Sequence, residues 1–323
     1  MSYAQFGTVQ ATDFNTLVGG NPTTTSGTLN AVWATGGGAF GYGQTALANV
    51  SAGNTVAATG QWATLVANTA SAATHQGSSI TAVSAPVAGG TITYISAIPT
   101  NLTTISTNKL NAATQGSTAT NTATFGSTWS SALTFTHTAT FANGDAARYF
   151  FNSGGQLKLT FAQPTGTAMA NAYNTLAGAC GTLVVSAPSS GTITVAGTSY
   201  SGFIKIGGSG SPSPYATNTG YYALTTSNAN VFLQTTGTPA GYTTSFINVL
   251  VKSNGTQGSN GDAGSVITIY SVWDEIPNGL TVTAGSAVTL TAQAPESDVK
   301  IILWACREVC RERDCHCTAN DGF

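Results

Sequence analysis

The stretch Leu133-Thr134-Phe135-Thr136-His137-Thr138-Ala139-Thr140-Phe141 alternates without a break. Successive side chains of a β-strand point to opposite faces. One face of this strand therefore carries Leu133, Phe135, His137, Ala139 and Phe141, and the other carries only Thr. A chain holding such a segment is committed to a sheet with one hydroxyl-covered wet face and one dry face that a second layer must cover. Thr makes up about one residue in six of the 323. It suits that wet face because a β-branched side chain fits a pleated surface.

The alternation continues from residue 118 onward. Strands are expected at 156–162, 182–186, 191–196, 202–206, 230–234, 245–252, 265–273, 280–283 and 287–292, with further strands at 148–151 and 221–226. Asn143-Gly144 is a hairpin signal, and a short helix is expected at 168–179. Before residue 118 the period is helical. Asp13 precedes Phe14, Leu17 and Val18, with Gly19-Gly20 as a stop, and Leu29, Val32 and Trp33 repeat the spacing. A stronger helix is expected over 59–74 with Trp62, Leu65, Val66, Ala70 and Ala73 on its apolar face and Thr69 as the one polar residue on that stripe. Another is expected over 99–113, and a short strand at 91–95. The predicted fold is mainly β, with a helix-containing N-terminal region, 1–117, followed by a β-sandwich or jelly-roll-like body, 118–297.

Charge sets further limits. Only 6% of residues are Asp, Glu, Lys or Arg, against roughly 25% in an ordinary domain. A nucleic-acid binder needs a basic footprint to displace counterions, and this chain has none. Plentiful apolar residues exclude a charge-rich disordered chain. Met1–Phe6 has neither a basic start nor an apolar run, so no secretory signal is expected, and no apolar run approaches the roughly 20 residues of a membrane span.

What charge there is collects at the end. Between Met1 and Asn108 the only charged side chain is Asp13, whereas Glu296–Phe323 holds ten of the twenty. Cys306, Cys310, Cys315 and Cys317 crowd the same segment. Their spacing is not the paired short spacing of common zinc sites, so no metal is assigned. The abrupt change of vocabulary marks 298–323 as an atypical tail. Its codons, shifted by one base, can be chosen to restore the Thr, Ser, Gly and Val of the body, and a frame-shifted end is the expectation for it.

Several phrases occur in an order that resembles one family. They are Phe14-Asn15 with Leu17, Gly41-Tyr42-Gly43-Gln44, Val50-Ser51-Ala52-Gly53-Asn54-Thr55 and Trp62 with Leu65. Further on come Gly144-Asp145 with Ala147-Arg148-Tyr149-Phe150-Phe151-Asn152 and Gly154-Gly155, then Gly220-Tyr221-Tyr222 with Leu224-Thr225, and Asn254-Gly255-Thr256 with Trp273-Asp274. Together they resemble virion structural or tail-fibre-like proteins of cyanophage-type tailed phages, from Met1 to about Pro295. The resemblance implies a virion role and transfers no catalytic residue. Such proteins finish in another Thr/Ser/Val strand, a pattern from which the tail departs.

The remaining motifs are weak. Gly36, Gly38 and Gly41 match a dinucleotide-binding spacing, but helical residues precede them and no acidic residue follows until Asp145. Asp145, Asp262, Asp274 and Glu275 are the candidate carboxylates in the β body for glycoside hydrolysis, and Asp145 and Asp262 sit in turn-like Asn-Gly-Asp phrases. His75 and His137 are far apart in sequence, and His137 and Cys180 read as core residues. Asn49, Asn101 and Asn254 would accept glycans only in a eukaryotic secretory route. Aromatic residues alone have a binding flavour: Tyr200, Phe203, Tyr215, Tyr221, Tyr222 and Tyr242 can stack on sugars, fill a subunit contact or fill a core.

The expected protein is therefore a non-enzymatic virion component without cofactor, tail-fibre-like or a surface appendage. Its partners would be copies of itself, as a trimer, other virion proteins, and host surface polysaccharide, with neither nucleic acid nor membrane. A secreted adhesin or surface-layer protein is the rival reading, and a polysaccharide depolymerase the third. In the leading reading residues 1–117 serve attachment or assembly, and the β body faces outward.

Overall fold

The computed structural model describes residues 10–54, 56, 58–85, 87, 96–235, 244–256, 264–274, 276 and 279–295, together with the backbone of 302–311 and 314–319. The N-terminal region is helical. Helix α1, Ala11–Val18, begins where the Asp13 carboxylate accepts the Gln10 N–H at 2.9 Å, and it stops at Gly19, φ +78°. Helix α2 is Leu29–Trp33. A π-helical turn, Ala58–Trp62, leads into α3, Ala63–Gln76, which ends on left-handed Gly77. Helix α4 is Ala97–Thr107. Phe14, Leu17, Leu29, Val32, Trp62, Leu65, Leu102 and Ile105 form one buried cluster, with Phe14 edge-on to Trp62 at 5.3 Å.

Two helical expectations are corrected. The buried stripe of α3 includes Thr69, as expected, but takes in Ala72 while Ala70 is exposed. Thr69 can be buried because its hydroxyl donates to the Leu65 carbonyl at 2.7 Å, which hides its polarity within the helix. Helix α4 stops at Thr107 rather than 113, with Asn108 as its C-cap. The expected strand at 91–95 lies outside the described residues.

The β body contains β1 (Thr118–Phe125), β2 (Leu133–Thr140), α5 (Gly144–Asn152), β3 (Gln156–Ala162), α6 (Ala168–Cys180), β4 (Thr182–Val185), β5 (Ile193–Val195), β6 (Thr198–Tyr200), β7 (Phe203–Ile206), β8 (Ala229–Thr235), β9 (Phe246–Ser253), β10 (Val266–Asp274) and β11 (Ser286–Gln293). Two more strands follow, β12 (Ile302–Arg311) and β13 (Asp314–Ala319). One sheet runs β1-β11-β3-β4-β7 and the other β13-β12-β2-β10-β9-β8, with antiparallel neighbours throughout; β5 and β6 form a separate hairpin. Early strands pair with late ones, β1 with β11 and β2 with β10, as Greek-key connections require. The fold is thus mainly β with an N-terminal helical region.

Phe135 of β2, Ile267 and Ile269 of β10, Leu157 and Leu159 of β3, and Val288 and Leu290 of β11 belong to one core cluster between the sheets. The alternation of residues 133–140 holds position by position: Leu133, Phe135, His137 and Ala139 are buried, and the intervening Thr are half-buried. His137 reaches across the sandwich, with Nε2 3.1 Å from the Val288 carbonyl. On the outer face of β1 and β11, Thr122 and Thr289 pair hydroxyls at 2.8 Å, and Thr120 and Thr291 at 3.3 Å.

Four local readings of the body change. The expected hairpin at Asn143-Gly144 is a helix start: Asn143 caps α5, its Oδ1 accepting the Ala146 N–H at 2.8 Å. The expected strand 148–151 is therefore helix, because Ala147, Phe150 and Phe151 bury one face at helical spacing. The expected strand 221–226 is a 3-10 turn, Tyr221–Ala223, followed by irregular chain. Residues 280–283 contribute one bridge, Val282 to Trp129, rather than a strand. In the tail, β12 adds to the open edge of β2 and β13 folds back on β12. An edge ladder offers backbone N–H and C=O groups to any extended chain, whatever its side chains.

Candidate functional site

The helical region and the β body meet at the glycine-rich loop after α2. Gly36 and Gly41 have φ of +52° and +96°, which lets the chain double back beneath α2. Its carbonyls turn toward α5. Arg148 Nη1 donates to Thr35 O at 2.8 Å and also to Phe40 O. The Asn152 amide lies within reach of the Gly38, Phe40 and Gly41 carbonyls at 2.9 to 3.2 Å. The Tyr222 hydroxyl sits between two acceptors, Gly38 O at 2.6 Å and Asn152 Oδ1. Arg148 is fully buried, and its charge is met by Asp145, Nη2 to Oδ1 at 2.9 Å. A phosphate-binding glycine loop presents N–H groups to its ligand. This loop presents carbonyls to a buried cation, so the Gly36, Gly38, Gly41 spacing is a clasp between the two regions.

Beside the clasp lies a cavity of about 440 Å³. Its walls come from α3 (exposed Ser71 and Thr74 and half-buried His75), from Trp33 and Gln44 flanking the loop, and from Ser153 at the end of α5. Its floor includes Tyr42, which is buried and packs edge-on to His75 at 5.0 Å. The Tyr42 hydroxyl donates to Lys109 O at 2.8 Å and accepts from Gln76 Nε2 at 2.7 Å. Burial pushes the Tyr42 pKa well above its ordinary value, against the smaller opposing effect of the Gln76 hydrogen bond, so this phenol stays protonated.

The aromatics singled out from sequence do not gather into one patch. Tyr200, Phe203 and Tyr221 are buried, and Tyr221 stacks on Phe151 at 4.3 Å. Such rings offer no free face to a sugar. Tyr215 is exposed at its edge, its oxygen accepting the Lys205 N–H at 2.7 Å while its ring packs on Phe203 and Phe232. Tyr222 belongs to the clasp, and Tyr242 lies outside the described residues.

The other candidates separate as well. Asp145 lies in the first turn of α5 rather than in a loop turn, paired with Arg148, and Asp274 ends β10. Asp262 and Glu275 lie outside the described residues. Cys180 is buried, and desolvation pushes its thiol up to about 12, slightly offset by the Lys205 charge, the reverse of an activated nucleophile. Among the described residues no three His, Cys, Asp or Glu side chains converge as a metal site, and the side chains of the Cys-rich tail lie outside them. No described helix is long and apolar enough to cross a membrane.

Sequence reasoning missed both the clasp and the cavity. Arg148 and Asn152 are four residues apart, a helical spacing that becomes visible once Asn143 is recognised as a cap. The cavity has no comparable signal, because its walls come from three separate segments. Comparison with protein-family models, with curated proteins and with solved structures finds no match for this chain.

Proposed function

We propose that this chain is a non-enzymatic structural protein of a virion, a tail-fibre-like or surface-appendage component that works by assembling with copies of itself, as a trimer, and with other virion proteins. The observation that carries the reading is the outward face of β1 and β11, where paired Thr hydroxyls stand in the place an ordinary domain gives to charges. Cross-strand hydroxyl pairs keep their strength in salt, whereas surface ion pairs are screened. A particle exposed to changing ionic strength gains from that choice. Strand β1 lies at the end of its sheet's ladder, beside β12 of the other sheet.

Immunogold electron microscopy tests the assignment. An antibody raised against the purified chain should label virus particles from the protein's native source and leave cell envelopes bare. Labelling confined to envelopes would instead support the adhesin or surface-layer reading. Release of reducing ends from host polysaccharide, lost in Asp274→Asn, would make it a depolymerase.

A further inference from the structure

We propose that the cavity walled by α3, the segment flanking the glycine loop and the end of α5 binds a neutral carbohydrate, as a mono- or disaccharide unit. Its volume of about 440 Å³ falls within the roughly 300–1,000 Å³ typical of small-molecule sites. Among the described residues no Asp, Glu, Lys or Arg lines it, and that lining favours neither an anionic nor a cationic ligand. The lining instead combines an aromatic ring with hydroxyls, an amide and an imidazole. The Trp33 indole N–H is already committed to Thr45 O at 3.1 Å, so Trp33 offers its ring rather than its N–H. A pyranose has an apolar C–H face whose partial positive charge matches the negative face of an indole. Its rim of hydroxyls needs neutral groups that both donate and accept, as Ser and Gln side chains do.

Those groups are present. Ser71 and Ser153 have no hydrogen-bond partner for their hydroxyls among the described residues, and the Gln44 side-chain amide makes one long bond there, Nε2 to Tyr42 O at 3.5 Å. Thr74 is less free, its hydroxyl donating to Ala70 O at 2.9 Å while keeping acceptor capacity. The walls are tied together before any ligand arrives. Gly43 N–H donates to Ala34 O at 2.9 Å, Gln44 N–H to Trp33 O at 3.0 Å, and Ala113 N–H to His75 O at 2.7 Å. A site held in this way loses little conformational freedom on binding. The assignment rests on the cavity and is independent of the virion reading.

The test is saturation-transfer NMR on the full chain with the methyl glycosides of glucose, galactose, mannose and N-acetylglucosamine, and with lactose and maltose. At least one should receive transfer, strongest at the C–H protons of one ring face. Trp33→Ala should weaken binding at least about tenfold, equivalent to roughly 1.4 kcal/mol. Ser71→Trp, on an exposed helix position and so compatible with folding, should abolish it by filling the cavity. Circular dichroism and Tm confirm that each variant is folded. Absence of transfer from every probe, transfer unchanged in folded Ser71→Trp, or stronger binding of glucuronate than of the neutral sugars would overturn the proposal. Sugar binding without labelled particles would sink the virion reading alone, and labelled particles without sugar binding would sink this one alone.

Discussion

Arg148 donates from Nη1 to the carbonyl oxygen of Thr35, 113 residues earlier, at 2.8 Å. That bond joins the capped helix of the β body to the loop that closes the helical region. It is made by a side chain with no exposure to solvent. Its partners Thr35, Phe40 and Asp145 are half-exposed and can turn to water, so losing the hydrogen bonds to this charged group costs about 1.5–3 kcal/mol. Arg148→Met is therefore expected to lower stability by roughly that amount and to open the 35–43 loop to protease. Arg148→Lys should recover only part, because an ammonium cannot reproduce the fork that serves Thr35, Phe40 and Asp145 together. Urea unfolding and limited proteolysis measure both.

Glycine at position 41 is required by space as well as by φ. A Cβ there would lie 2.2 Å from Thr35 O, in a backbone with φ +96°. Gly53 has a similar φ of +85° and nothing within 4 Å. Gly41→Ala should cost clearly more than Gly53→Ala, which carries only the left-handed strain of about 1–2 kcal/mol. Paired thermal melts decide this, and equal shifts would mean that the loop moves freely.

His137 makes stability depend on pH. Burial pushes its pKa down from 6.5 to about 4, opposed in part by the bond to the Val288 carbonyl. Between those values the unfolded chain binds the proton and the folded chain does not, so stability rises with pH. The folded state should weaken as pH falls from about 6.5 to about 4, by on the order of 3 kcal/mol from this group. His137→Gln can still donate to Val288 O and should flatten that window. Denaturant midpoints measured from neutral pH to pH 4 would show the change in slope.

The hydroxyl pairs on the outer face should matter singly very little. Thr122→Ala removes the 2.8 Å partner of Thr289 and should cost under about 1 kcal/mol. Its midpoint should also shift no more at high salt than the parent's, since no ion pair is involved.

Much of this fold is legible in single segments. The 133–140 alternation needs no partner to declare its faces, because the period of two is a property of the extended backbone. The same holds for the start of α1, where Asp13, Phe14, Leu17 and the Gly19 stop lie within one short stretch. Position 143 shows where local reading fails. Asn-Gly serves a hairpin or a helix cap equally well, and packing of Ala147, Phe150 and Phe151 against the core selects the helix.

What only tertiary structure decided is which distant groups meet. Nothing near Gly36 or Gly41 indicates that their loop will turn its carbonyls to Arg148 and Asn152, and the same spacing would suit a phosphate loop in another setting. Tyr221 and Tyr222 are adjacent and chemically alike, yet one stacks in the core on Phe151 and the other bonds to the clasp. The cavity draws on Trp33, Ser71 and Ser153, which share no periodicity. Sequence determines the faces of each element through backbone geometry. Contacts across more than a hundred residues depend on how those faces close on one another, and no local pattern encodes that.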